Sequence, residues 1–186
     1  MKLLDNVLRK WRVGLALRSA PSPIAAVFDI GCDDGFLLRQ IPGDHVRRDG
    51  CDPVVSMEPI TDGDQILAGF FPDAAPPVDR RPQAGYDAIF ALAVFEHFTA
   101  DDLQRCSPVI ASMLADDGRL VVTVPHPFVD KILHVLIFLR LIDGQEAHQH
   151  HGFDPRTLAG ELHDLRLVRR RRFQLGLNYL FVFAKR

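Results

Sequence analysis

The residues best suited to chemistry in this 186-residue chain are clustered. In Asp29-Ile30-Gly31-Cys32-Asp33-Asp34-Gly35 an acid closes an apolar run and spaced glycines follow. Gly31 lacks a Cβ, so the backbone there can approach a ligand, and Gly35 allows close packing where a helix begins. Asp52-Pro53 falls at the end of an expected second strand over 45–52, where nucleotide-binding α/β proteins place an acid that accepts hydrogen bonds from ribose hydroxyls; the plainer role for Asp52 is a turn residue before Pro53. Glu96-His97 follows the apolar run 90–95 and either does chemistry or anchors a helix start through hydrogen bonds. His126, His134, His148, His150 and His151 gather in the last third of the chain. Imidazole titrates near neutral pH, so His97, His126 and His151 are candidates for a general base or a substrate contact. A solvated loop is the commoner fate of such residues. The 145–151 spacing fits no zinc pattern and lacks a cysteine, so no metal is expected.

These groups need a frame to hold them. Leu4, Val7, Leu8, Trp11 and Leu15 recur at helical spacing and predict an amphipathic helix over 1–18, within an N-terminal segment 1–20 that packs over the sheet or partly caps the site. Residues 24–30 form an apolar run suited to a parallel strand covered on both faces. A loop and short helix follow, up to Pro42-Gly43, so the chain opens as a βαβ unit. Further strands are expected at 45–52, 65–68, 86–92 and 119–124. Between the last two, Pro108 divides 99–114 into two short helices capped at Ser107, or kinks one. A helix near 130–142 and another over 155–163 precede two strands, 166–173 and 178–184, joined by a turn at Gly176. The fold class expected is α/β: a doubly wound, mostly parallel seven-stranded sheet ending in a C-terminal antiparallel hairpin. The length suits one domain, 1–186.

Three stretches carry a resemblance to a family. Val27 to Leu37 resembles the first motif of class I S-adenosylmethionine-dependent methyltransferases, an acid at a strand end before a loop of glycines. The run Phe90-Ala91-Leu92-Ala93-Val94-Phe95-Glu96-His97 is similar to the segment after that family's fourth strand. Leu114 to Pro125 resembles the lead into its fifth. The resemblance covers roughly 24–125 and implies S-adenosylmethionine as cofactor. It implies that Asp29 faces the methionine ammonium, that Gly31, Cys32, Asp33 and Gly35 line the cofactor loop, and that the following helix N-terminus favours the methionine carboxylate. Asp52 and Pro53 would lie at the ribose, with Phe70 beyond the third strand, and Ala93, Val94 and Phe95 would wall the sulfonium end. Asp33 departs from the family's usual glycine; its carboxylate either faces the cofactor or points outward. Ala93 stands where metal-assisted members carry an extra Glu, so Glu96 and His97 are not expected to hold a metal. Gly31 and Gly35 do not make G-x-G-x-x-G, which places hydride transfer below methyl transfer.

The implied activity is methyl transfer to a small-molecule acceptor, hydrophobic or linked to a lipid or glycan precursor, with 126–153 as lid or substrate cap. The alternative is a non-catalytic S-adenosylmethionine-binding partner protein. A net charge of −2 gives no pull toward nucleic acid. The longest apolar run, 132–142, is shorter than the roughly 20 residues a bilayer needs, so no stable membrane insertion is expected. Three cysteines at irregular spacing and no signal peptide point to the cytoplasm. The arginine run 169–172 alternates between strand faces and reads as an exposed edge guarded by charge. The oligomeric state is not legible.

Overall fold

A computed structural model of the chain describes residues 3–126 and 154–186. Seven strands, β1 (Ala26–Ile30), β2 (Arg47–Asp52), β3 (Ile66–Ala68), β4 (Tyr86–Leu92), β5 (Leu114–Pro125), β6 (Leu165–Phe173) and β7 (Asn178–Lys185), form one sheet. Their order is β3-β2-β1-β4-β5-β7-β6. The first five pair in parallel, while β7 runs antiparallel to both β5 and β6. This is the α/β sheet with a terminal hairpin that the apolar pattern predicts.

Every residue of β1 is buried, because helices cover both faces. On one face Phe28, Ile30, Tyr86, Ile89, Phe181 and Phe183 pack with helix α2 (Ala100–Met113). On the other, Val27, Phe90, Val121, Leu180 and Val182 meet Val13, Leu15 and Ala16 of helix α1 (Leu3–Leu17). The stripe that α1 buries therefore differs from the one its spacing suggests, since Val7 and Trp11 stay about half exposed.

Several boundaries differ from expectation for identifiable reasons. Helix α2 runs unbroken through Pro108, opened by a capping box in which Thr99 and Asp102 exchange hydrogen bonds. Ser107 caps nothing; its buried hydroxyl accepts the Asp164 N–H at 2.8 Å. Burial of Leu103, Cys106, Ile110 and Met113 against the sheet outweighs the hydrogen bond that proline removes. Strand β5 begins at Leu114 rather than at 119, because the register shifts between Tyr86 and Ala88 and absorbs Asp116-Asp117-Gly118 as an irregularity of the strand. The helix expected over 155–163 shrinks to α3 (Leu158–Glu161), with Leu162 and Leu165 drawn into the core. The segment after Gly35 forms only a three-residue 3-10 turn, Leu38–Gln40. Among the described residues, no helix is long and apolar enough to cross a membrane.

Candidate active site

The C-terminal ends of β1 and β2 lie side by side, with Asp29 opposite Gly50 and Ile30 opposite Cys51. The chain leaves β1 through Gly31 at φ +77°, and the Gly31 and Cys32 N–H groups both donate to the Cys51 carbonyl, at 2.8 and 3.1 Å. A Cβ at Gly31 would stand 2.5 Å from Val94 Cγ2, so glycine is what lets the tail of β4 close on this loop. Asp33 adopts φ +45°, a left-handed conformation that glycine takes without cost and Asp tolerates better than most residues. Its N–H donates to Asp52 Oδ2 at 3.0 Å, while Asp52 Oδ1 accepts from Val54 N–H at 2.8 Å. Asp52 thus holds the loop to the end of β2, and the Gly69 N–H, donating to its carbonyl at 3.0 Å, adds the segment after β3.

Electrostatics at this point are unusual. Asp29 is only 4% exposed. Burial first, then the charge of Asp52, pushes its carboxyl well above the usual range, against a smaller downward pull from Arg9. Burial, Asp29 and Asp52 likewise push the Cys32 thiol up to about 12, which makes it a packing residue rather than a nucleophile. Arg9 of α1 reaches over the loop. Its guanidinium bonds both carboxylate oxygens of Asp34, comes within 3.9 Å of Asp33 and lies 4.4 Å over the Phe36 ring. That pairing lowers the Asp34 carboxyl below its ordinary value.

The other expected site residues divide into two groups. Ala93, Val94 and Phe95 follow β4 directly, beside the β1 loop; Ala93 takes φ +60° and its N–H donates to the Thr123 carbonyl at 2.8 Å. Phe95 is fully buried against Phe98, whereas Val94 is partly accessible. Pro53 and Phe70 are exposed near Asp52, and it is Phe71 that enters the core. His97 is exposed at the end of a 3-10 turn. His126 lies at the far side, past β5, stacked on Tyr179 at 5.2 Å. His151 and the rest of 127–153 lie outside the described residues. One expectation is corrected: with only a 3-10 turn after Gly35, no helix N-terminus exists there to favour a carboxylate. Arg9 is the neighbour that spacing missed, because nothing local in α1 marks it as reaching residue 34.

An open, mostly parallel sheet with a terminal hairpin, a glycine loop and paired acids on neighbouring strand ends defines a Rossmann-like methyltransferase. A family model described as a methyltransferase domain matches residues 4–167, and the chain belongs to that family. It is an S-adenosylmethionine-dependent methyltransferase. Its fold is similar to N-methyltransferase NodS from Bradyrhizobium japonicum, at 16% identity and TM-score 0.64, over 98% of this chain and 99% of that one. It is also similar to the cyclopropane synthase MmaA2 from Mycobacterium tuberculosis, at 17% identity and TM-score 0.64, over 95% and 84% of the two chains. A third neighbour is the 1,6-didemethyltoxoflavin-N1-methyltransferase from Burkholderia thailandensis, at 19% identity and TM-score 0.61, over 94% and 76%; that enzyme was solved with 1,6-didemethyltoxoflavin and S-adenosylhomocysteine bound. No curated protein matches the chain.

Proposed function

We propose that this chain, acting as one domain across 1–186, methylates a small-molecule acceptor, with the β1 loop and the ends of β2 and β4 holding the cofactor. The observation that carries this reading is the Asp29 carboxyl, 4% exposed at the end of β1, its pKa raised by burial and by the neighbouring charge of Asp52. A carboxylate buried beside a second acid is costly to ionise, and a cationic ligand would relieve that cost. The ammonium group of S-adenosylmethionine meets that need. Asp52, partly exposed and already fixed by two backbone N–H groups, keeps accepting capacity for ribose hydroxyls. Gly31, Cys32, Asp33 and Gly35 supply the backbone wall, Pro53 and the exposed Phe70 flank the nucleoside end, and Ala93, Val94 and Phe95 bound the methionine end.

When bound, the cofactor supplies a methyl group already activated on a sulfonium, so the protein's task is alignment of the acceptor and exclusion of water. Among the described candidates, His97 is exposed and His126 stands past β5, stacked on Tyr179, so the reading rests on cofactor placement rather than on a base. The three cysteines are free and buried, which supports a cytoplasmic, reducing setting. Incubation with methyl-labelled S-adenosylmethionine and a fractionated metabolite extract tests the reading. Label should appear in a low-molecular-mass product; label found only in protein or RNA would overturn the small-molecule acceptor.

A further inference from the structure

At the same edge of the sheet, beyond β5, lies a cavity of ≈ 460 Å³ that none of the cofactor residues enters. Its volume is in the range that holds a small ligand. Arg156, Arg170, Arg172 and His126 line it, over the ring of Tyr179. The arginines arrive from different elements: Arg156 precedes α3, while Arg170 and Arg172 are two residues apart on β6 and so share a face. Pairing fixes which face. Arg170 lies opposite Phe181 and Arg172 opposite Tyr179, both on the α2 side of the sheet, whereas Arg169 and Arg171 lie opposite Val182 and Leu180 on the α1 side. Edge protection accounts for a row of exposed arginines, but it does not account for two of them folding over aromatic rings. The Arg170 guanidinium carbon is 4.8 Å from the Tyr179 centroid and that of Arg172 is 5.2 Å from it.

Charge here is one-sided. Among the described residues, Arg170 and Arg172 have no carboxylate partner, and Arg156 has only Asp154, at 3.7 Å. The rim is also strained: Gln174 and Leu175 in the β6–β7 turn take φ +49° and +58° ahead of Gly176, and Leu175 is 95% exposed. Two consecutive left-handed residues are what a tight hairpin turn uses, and they hold the Leu175 side chain out at the rim of the cavity. We infer that this cavity binds the anionic group of the methyl acceptor, a carboxylate or phosphate held by Arg156, Arg170 and Arg172, with Tyr179 and Leu175 against its planar or apolar body. The inference rests on the small-molecule reading above. Guanidinium forks match both anions in two-point geometry. The cavity starts two strands from the tail of β4, roughly 10 Å away, which suits the distal end of an acceptor whose other end meets the methyl group.

Benzoate, phenyl phosphate and neutral benzamide, titrated into the whole protein and followed by the backbone amide signals of Leu177 and Tyr179, test the inference. Either anion should move those signals, benzamide should not, and the stronger of the two identifies the source chemistry. Arg170→Gln with Arg172→Gln should weaken the anion about tenfold or more. Arg156→Gln, in an exposed loop, should weaken it without bearing on the fold. Equal shifts with benzamide, no shifts with either anion, or undiminished binding in both variants would overturn the pocket. A response confined to a single-stranded oligoribonucleotide would replace the small anion with nucleic acid. S-adenosylhomocysteine, read at the Gly31 amide in the same samples, separates the two readings: loss of that response alone removes the cofactor assignment and leaves the anion pocket standing.

Discussion

Among the described residues, the two halves of the sheet's C-terminal edge carry opposite charge. Around β1 and β2 stand Asp29, Asp33, Asp34 and Asp52, with Arg9 reaching across them from α1. Around β5, β7 and β6 stand His126, Arg156, Arg170 and Arg172, with Asp154 beside one arginine. A net charge of −2 for the whole chain hides this division. Net charge speaks to how a protein meets polyelectrolytes, while the local field of each cleft decides what settles there. The acidic half suits a ligand carrying an ammonium and a sulfonium. The basic half suits an anion, and methyl transfer needs the two ligands to meet between them.

The contrast can be broken most forcefully at Asp52. Asp52→Ala removes the carboxylate that binds two backbone N–H groups and, on this reading, the ribose. Affinity for S-adenosylhomocysteine should fall by roughly 1.5–3 kcal/mol, about ten- to a hundredfold by calorimetry, and an unchanged affinity would take Asp52 out of the site. Asp29→Asn should weaken the cofactor by a smaller factor while making the ligand-free protein more heat-stable above neutral pH. The sign follows from its raised pKa. Asp29's contribution to stability is complete below the ordinary carboxylate range and is lost as pH rises through the raised value, whereas Asn does not titrate. Melting curves at pH 5 and pH 8 should therefore show the variant's advantage growing with pH.

On the basic side, burial and then the charges of Arg172 and Arg156 hold the His126 imidazole below its usual value. Arg172→Ala should raise it, as read from the His126 ring signals across a pH titration, with cofactor affinity unmoved. The smallest effect is expected at Asp33→Gly. Relief of about 1 kcal/mol of left-handed strain is offset by the extra freedom glycine gives the unfolded chain, so stability should change by no more than about 0.5 kcal/mol. Any gain in cofactor affinity should shrink in high salt. A clear loss of binding would instead make Asp33 a ligand in its own right.

How much of this was legible depends on whether a signal is local. Strands β1, β4 and β5 were, because strands covered on both faces are largely apolar, as Val27, Phe28 and Ile30 are around the single acid Asp29. The loop acids were legible because strand-end position and glycine spacing are adjacent in sequence. Pro108 misled because its local cost is real, and only the burial of Ile110 and Met113 shows why the helix continues. Arg170 and Arg172 were legible as part of a charged edge. Their convergence with Arg156 depends on the pairing of β6 with β7 and on where α3 returns, neither of which the arginine run encodes. Arg9 pairs with Asp34 across 25 residues, beyond the reach of any spacing argument.

Helix α1 touches both halves through consecutive residues. The Leu8 carbonyl accepts a hydrogen bond from Gln174 Nε2 at 2.7 Å, in the turn that rims the basic cavity, and Arg9 grips the loop beside Asp29. A ligand that settles one end must act on a helix that the other end also holds. Thermodynamic linkage then requires reciprocity: any factor by which the cofactor alters affinity for the anion is the factor by which the anion alters affinity for the cofactor. Substituting Gln174 with Ala cuts one tether without removing a group from either ligand. That variant should leave each ligand's separate affinity nearly intact while lowering their mutual coupling, and slowed amide exchange along Leu3–Leu17 would mark the helix as the carrier.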